Sequence, residues 1–171
     1  GKVQSVLDNL GAKYSGPEKL SAVFSIDKEL TKNHYRKNNI KTPAHLIIET
    51  NKINELTPSD ILKHFAFPVI VKPLGRGSSV GISVANNFIE LMDHLPNYVE
   101  KFDKLMIEEM IIGKEATVGV IDKYRDRNIY PLLPVEVKVP YDKKFFDQKS
   151  KYSKETIKDC PGSFSSAEKK E

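Results

Sequence analysis

Residues 67–85 read FPVIVKPLGRGSSVGISVA, and this stretch predicts the centre of the fold. Its first part, Phe67 to Pro73, is rich in β-branched residues and is typical of a strand buried on both faces. The segment LGRGSSVG over 74–81 predicts a tight turn, and strand character resumes over 82–85. The three pieces together therefore predict a β-hairpin with a glycine-bearing loop.

The end of the first strand and the hairpin loop offer groups that suit a phosphate. Lys72 ends a strand whose other residues favour burial, and a buried lysine needs an anionic partner such as a phosphate oxygen. Loop glycines let the backbone approach a ligand, while Ser78 and Ser79 add hydroxyls. The spacing of the glycines matches neither the Walker A loop, GxxxxGK[ST], nor the dinucleotide-binding fingerprint, GxGxxG. A solvated Lys72 and a flexible hairpin turn without a ligand are the open alternatives.

The patterns on either side of the hairpin predict further helices and strands. Apolar residues at helical spacing and capping residues predict helices over 3–10, 20–24, 28–37, 57–64 and 87–99, the last shortened or bent by Pro96. The predicted caps of the last three helices are Asp27, Thr57 or Ser59, and Asn86 or Asn87. Apolar runs predict strands over 44–49, 105–112, 115–121 and 129–139. The polar segment 141–171 predicts a long loop. This mixture predicts an α+β fold.

Composition narrows the class of protein. A chain of 171 residues with 39% hydrophobic residues can build a core, and its formal net charge of +4 is compatible with anionic ligands in general. The single cysteine, Cys160, excludes an intrachain disulfide and predicts a reducing compartment, most simply the cytoplasm. No apolar run approaches the roughly 20 residues that span a bilayer, so the sequence supports neither a membrane nor an export role.

A second group of polar residues follows the hairpin. Glu108 and Glu109 precede Glu115 by a few residues, at the adjoining ends of two predicted strands. Glutamate there can accept hydrogen bonds from ribose hydroxyls, and the apolar Met110 and Ile111 can flank an adenine. Solvated surface charge is the alternative. The four histidines are scattered without metal-ligand spacing, so we predict no metal ligand in this chain.

The order of these motifs resembles that of one family. Asp27-Lys28, FPVIVKP, GRGSSVGIS, IEEMIIGKEATVGV, FFDQKSKY and CPGSFSSAE follow one another at the spacing of D-alanine-D-alanine ligases of the ATP-grasp class. The resemblance covers nearly the whole chain. It implies the ATP-grasp small subdomain, an antiparallel sheet with helices on one face, followed by the first strands of the large lobe.

The resemblance also implies a division into domains. Residues 1–17 would be a remnant of the N-terminal domain, 18–107 the small subdomain with its linking helices, and 108–171 an incomplete start of the C-terminal lobe. Apolar residues at helical spacing from Val3 onward indicate that the chain begins inside a helix, which favours the removal of an upstream part.

Individual roles are implied at the matching positions. Lys28 and Lys72 resemble the lysines that hold the ATP phosphates, and Ser78 and Ser79 resemble the serines over the reacting phosphate. Ser78 is also similar to the serine that joins Tyr152 in ordering the substrate end of the site, so these two are the implied catalytic residues.

The remaining residues implied by the resemblance either contact the nucleoside or belong to a mobile loop. Glu108 and the backbone near Ile111 resemble the adenine contacts, and Glu115 resembles the ribose contact. Lys151 and Tyr152 match the loop that closes on the substrates, where tyrosine resembles enzymes that make the dipeptide in preference to a depsipeptide.

The implied reaction is ATP-dependent ligation of two D-alanines through an acyl phosphate, a step of peptidoglycan precursor synthesis. ATP and Mg²⁺ are the implied cofactors, and the family's magnesium ligands come after the position that matches Glu171. The resemblance therefore implies that the chain alone is inactive. It implies D-alanine as the small-molecule substrate and a homodimer for the intact enzyme, with no nucleic-acid or membrane partner.

Two alternatives stay open. One is another ATP-grasp carboxylate-amine ligase with a different amino-acid substrate, which the Ser78-Ser79 pair and Lys151-Tyr152 disfavour. The other is a non-catalytic nucleotide- or nucleic-acid-binding module. Basic residues of a nucleic-acid site cluster with exposed aromatics, whereas here they are interspersed with acids along the chain.

Overall fold

The computed structural model describes residues 1–75, 77, 79–138 and 156–168. The chain divides into two compact units, Gly1–Ile111 and Ile112–Glu171. Within the described residues, no helix is both long and apolar enough to cross a membrane.

The described residues of the first unit contain six α-helices, and three of these begin at capping side chains. The six are α1 (Lys2–Asn9), α2 (Lys19–Ile26), α3 (Lys28–Lys37), α4 (Pro58–Leu62), α5 (Phe88–His94) and α6 (Pro96–Val99), with a 3-10 helix over Thr50–Glu55. The Asp27 side chain accepts hydrogen bonds from two backbone N–H groups of α3, Thr57 begins a capping box at α4, and Asn87 caps α5. These predicted caps are confirmed. Pro96 begins a separate helix, so the predicted helix to Val99 is split there.

A four-stranded antiparallel sheet forms the centre of this unit. Its strands are β1 (His45–Glu49), β2 (Val69–Pro73), β3 (Ser83–Ala85) and β4 (Lys104–Glu109), in the spatial order β1-β4-β2-β3. Strands β2 and β3 are antiparallel neighbours, which confirms the predicted hairpin. Because β4 lies between β1 and β2, it pairs on both sides and its residues 105–108 are buried.

One face of the sheet carries the core. Val69 and Val71 of β2 and Ile107 of β4 are fully buried, and they belong to a cluster with Ile61 of α4 and Leu91 of α5. Each such side chain contributes about 1.5–3 kcal/mol through its removal from water.

The other face of β2 differs from the prediction. Ile70 and Lys72 alternate with the core residues and are only partly buried, so the expectation of a strand buried on both faces is wrong for this face. The reason is that successive side chains of a strand point to opposite sides, and this side carries charged groups.

The described residues of the second unit, 112–138 and 156–168, contain five short strands. They are β5 (Glu115–Thr117), β6 (Val120–Tyr124), β7 (Arg127–Pro131), β8 (Val135–Lys138) and β9 (Ile157–Asp159). Strands β5, β8 and β9 form one antiparallel sheet in that order, and β6 pairs with β7 in a hairpin.

Three predictions for the second unit are wrong. The single strands expected over 115–121 and 129–139 are each divided in two, and part of the polar segment 141–171 forms β9 instead of a loop. Pro134 lies in the break between β7 and β8, where proline cannot donate to a strand ladder. Strand β9 is held by pairing with β8 and is mostly exposed, so no apolar run marked it in the sequence.

Candidate functional site

Three lysines gather around the buried carboxylate of Glu108. The Lys72 ammonium forms an ion pair and a hydrogen bond with Oε1 of Glu108, and the Lys32 ammonium lies 2.6 Å from Oε2. The side chain of Glu108 is 5% exposed, that of Lys32 10% and that of Lys72 21%. Lys28 donates a hydrogen bond of 3.2 Å to the backbone oxygen of Pro73, the residue after Lys72.

The register of the sheet explains why Lys72 and Glu108 meet. Ile70 lies opposite Glu108 and Lys72 lies opposite Met106 in the antiparallel pairing of β2 with β4. Lys72 and Glu108 are therefore diagonal neighbours on one face, within reach of long side chains. This is the face opposite the apolar core that Val71 and Ile107 enter.

Helix α3 supplies the other two lysines. Lys28 and Lys32 are four residues apart and so lie on the same side of the helix, one turn from each other. Because Asp27 caps the helix through the N–H groups of Glu29 and Leu30, the position of Lys28 in the first turn is fixed.

The electrostatics of this cluster favour an additional anion. Burial alone would raise the pKa of Glu108, but the charge of Lys72 and the hydrogen bonds from Lys32 and Lys72 lower it overall. Burial lowers the pKa of Lys28, and the neighbouring Lys72 charge lowers it further. The cluster contains the three ammonium groups of Lys28, Lys32 and Lys72, and the charges of two carboxylates, Glu108 and Asp27, oppose the lowering of the Lys28 pKa. A polyphosphate would supply the negative charge that balances the ammonium groups.

The hairpin loop begins directly after this cluster. Gly75 and Gly81 have φ angles of +69° and +70°, which glycine adopts without steric cost. A Cβ at Gly81 would lie 3.2 Å from Cγ of Pro73, so the loop also returns close to the strand end. Ser79 adopts φ +57°, an uncommon conformation for a residue other than glycine.

The structure brings together Lys28, Lys72 and Glu108 from the set predicted by sequence. Ile111 is exposed and ends the first unit, while Glu115 is exposed and begins β5 of the second. Ser78, Lys151 and Tyr152 lie outside the described residues. The roles implied for all of these residues remain predictions.

Lys32 was missed by sequence reasoning. A lysine in a polar helix is ordinarily solvated, and its partner Glu108 is far away along the chain. The available signal was the four-residue spacing from Lys28, which places both lysines on one side of α3.

No group of three or more histidine, cysteine, aspartate or glutamate side chains that could hold a metal ion occurs in the part of the chain that the structure describes.

Sequence comparison finds relatives along most of the chain. The family described as D-ala D-ala ligase C-terminus matches residues 34–171. The D-alanine--D-alanine ligase of Fervidobacterium nodosum is 33% identical over 162 residues, which are 90% of this chain and 50% of that protein. The D-alanine--D-alanine ligase of a Marinomonas species is 37% identical over 152 residues, 89% of this chain and 45% of that protein. The chain spans about half the length of these curated relatives.

Solved structures agree with this result and confirm the α+β fold of ATP-grasp ligases. The D-alanine--D-alanine ligase from Bacillus anthracis, complexed with ATP, aligns with a TM-score of 0.68 at 27% identity over 93% of this chain and 47% of that one. The VanG D-Ala:D-Ser ligase from Enterococcus faecalis aligns with a TM-score of 0.79 over 99% of this chain and 48% of that one; at 23% identity it shows the fold alone. Since the family match covers most of its residues, the chain belongs to the D-alanine-D-alanine ligase family, through that family's C-terminal part.

Proposed function

We propose that this chain forms the nucleotide-binding part of an ATP-dependent ligase that joins two D-alanines. The observation that carries the proposal is the cluster of Lys28, Lys32 and Lys72 around the buried carboxylate of Glu108, next to a glycine-bearing hairpin loop. The family membership and the relative complexed with ATP support the same assignment.

Lys28 and Lys72 would bind the phosphates of ATP. Their ammonium groups come from different elements, the first turn of α3 and the end of β2, so they can contact different phosphate oxygens. Backbone N–H groups and the Ser78 and Ser79 hydroxyls of the loop would cover the phosphate that is transferred. Lysine acts here as a point charge that needs no particular direction of approach.

The nucleoside would contact residues after β4. Glu108 and the backbone near Ile111 would contact adenine, and Glu115 would accept hydrogen bonds from the ribose hydroxyls. Ile111 and Glu115 are both exposed. Lys151 and Tyr152 would belong to a loop that closes over the substrates, with Tyr152 and Ser78 ordering the D-alanine end.

The chemistry of the proposed reaction gains chiefly from electrostatic stabilisation. In the first step an oxygen of one D-alanine carboxylate bonds to the γ-phosphorus, and the bond from that phosphorus to the β–γ bridging oxygen breaks, releasing ADP. In the second step the amine of another D-alanine attacks the acyl carbon, phosphate leaves, and the nitrogen loses a proton. Fixed cations at Lys28 and Lys72 stabilise the negative charge that accumulates during the first step.

Further parts of the proposal concern the intact protein. Mg²⁺ would neutralise phosphate charge when bound. Within this chain, we assign the stabilisation of phosphate charge to the lysines of the cluster and to backbone donors of the hairpin loop. We also propose that the protein acts in the cytoplasm on peptidoglycan precursors, takes small molecules and not nucleic acid or membrane as its partners, and forms a homodimer.

A calorimetric titration with ATP tests the nucleotide site. Lys72→Ala should weaken ATP binding about 10- to 100-fold, the range expected for losing a charge-assisted hydrogen bond to a phosphate. Lys63→Ala is the matched control, because Lys63 is an exposed lysine of the same unit that pairs only loosely with Asp60. Equal ATP affinity of Lys72→Ala and the unsubstituted chain would contradict the proposal.

A further inference from the structure

The ammonium group of Lys32 is fully engaged inside the protein. It lies 2.6 Å from Oε2 of Glu108, and it donates to the Thr42 hydroxyl at 2.8 Å and to the backbone oxygen of Pro43 at 2.9 Å. A lysine ammonium has three donors, and each of them has an acceptor here. Lys32 is also only 8% exposed. It therefore has no donor left for a ligand, and any role in the nucleotide site is indirect.

The two oxygens of Glu108 are divided between two lysines. Lys32 occupies Oε2, and Lys72 occupies Oε1. A buried carboxylate needs compensation for both oxygens, so without Lys32 the group would turn or draw Lys72 toward the vacated side. The orientation of the Glu108 carboxylate thus determines where the Lys72 ammonium lies.

Lys32 also fastens α3 to the sheet. Thr42 and Pro43 precede β1, and Glu108 lies on β4, so one ammonium group joins the helix to two neighbouring strands. Lys28 sits one turn earlier on the same side of α3. A displacement of the helix at Lys32 would move Lys28 as well.

We propose that Lys32 is a positioning residue of the nucleotide site, which holds one oxygen of Glu108 so that the other oxygen keeps the Lys72 ammonium in place for the phosphates. This inference rests on the proposed function for the phosphate contacts of Lys28 and Lys72. The contact between Lys32 and Glu108 itself does not depend on it.

The first test follows the carboxyl carbon of Glu108 by NMR during a pH titration. Lys32→Met removes the charge and keeps the length of the side chain, so Glu108 should titrate at a higher pH than in the unsubstituted chain. Lys37→Met is the control, because it removes a lysine from the same helix at an exposed position. It should leave the Glu108 titration unchanged. The signal is assigned by its loss in Glu108→Gln.

The second test is a double-mutant cycle on ATP affinity. Lys32→Met should weaken ATP binding about tenfold, because the displaced Lys72 ammonium would lose the equivalent of one charge-assisted hydrogen bond to phosphate. In a Glu108→Gln background the same substitution should change affinity less than about twofold, because the group that Lys32 positions is gone. A lysine that merely stabilised the fold would give similar losses in both backgrounds.

The outcomes separate this inference from the proposed function. An unchanged Glu108 titration in Lys32→Met, or equal losses of affinity in the two backgrounds, would overturn the positioning role. If Lys32→Met does not give the amide spectrum of a folded chain, Lys32→Gln, which keeps a hydrogen-bond donor, replaces it in both tests. Failure of the unsubstituted chain to bind ATP would instead overturn the nucleotide site, while the Glu108 titration would still decide whether Lys32 controls that carboxylate.

Discussion

Lys72 of β2 and Glu108 of β4 form an ion pair across the two central strands of the sheet. The register makes the two side chains diagonal neighbours on one face of the sheet. This face is opposite the one that carries the apolar core. The pair keeps a buried carboxylate charged, and it holds an ammonium group directly before the hairpin loop. Because the opposite face of β2 and β4 packs in the apolar core, the two strands hold Lys72 and Glu108 next to each other.

Replacing Glu108 with glutamine should destabilise the chain by about 1–3 kcal/mol near neutral pH, because Lys32 and Lys72 lose a buried charged partner. The pKa of Glu108 is lowered in the folded chain, since Lys72 and Lys32 outweigh burial, so the unfolded chain binds more protons as the pH falls. The stabilising effect of the Glu108 charge is present above the ordinary glutamate pKa of about 4.3. It is lost as the pH falls through the lower pKa that Glu108 has in the folded chain.

Urea unfolding of both proteins at a series of pH values measures this effect. The difference in unfolding free energy should be constant above about pH 5 and should shrink as the pH falls below about 4.3. Glu55→Gln, at an exposed carboxylate of the same unit, serves as the control and should produce no such difference. A difference in unfolding free energy that stays constant with pH would show that the Glu108 charge does not contribute to the stability of the chain.

Leu91→Ala should destabilise the first unit by about 2–5 kcal/mol, because Leu91 is fully buried in the core cluster and its removal leaves a cavity. Ile89→Ala is the control on the same helix α5, where Ile89 is 74% exposed. Chemical denaturation should show a large loss of unfolding free energy for Leu91→Ala and a loss of less than about 0.5 kcal/mol for Ile89→Ala. Similar losses for both would mean that α5 packs through another face.

Gly81→Ala should destabilise the hairpin by about 1–2 kcal/mol, because its φ of +70° is unfavourable for a residue with a Cβ. The added Cβ would also press on Pro73. Gly77→Ala is the matched control in the same loop, since no atom lies within 4 Å of the Cβ it would add and its φ is not in the left-handed range. Equal stability of the two variants would contradict the loop conformation.

The fold of the first unit could largely be predicted because its signals are local. The β-branched run before Gly75 predicted the hairpin, and Asp27, Thr57 and Asn87 predicted helix starts that the structure confirms. In the second unit strands are short and exposed, as in β9, and are held by pairing with distant segments. Apolar periodicity is weak in such strands, which is why their boundaries were wrong.

The site was only partly predictable. Lys72 and Glu108 were each singled out, but each had an ordinary surface interpretation, and only the sheet register shows that they meet. Lys32 had no local signal beyond its spacing from Lys28. Long-range pairing between α3 and β4 determines its burial, and a single sequence does not reveal such pairing.

If Lys28 and Lys72 form a site for the phosphates of ATP, the pKa of Lys28 should respond to bound nucleotide. Burial and the charge of Lys72 lower the pKa of Lys28 in the chain without ligand. Bound phosphates should raise it, because nearby negative charge favours the ammonium form. The measurement is carbon NMR of the Lys28 ε-carbon during pH titrations with ATP and with adenosine. A rise in the Lys28 pKa with ATP and none with adenosine is the predicted result; an unchanged Lys28 pKa at saturating ATP would contradict the claim.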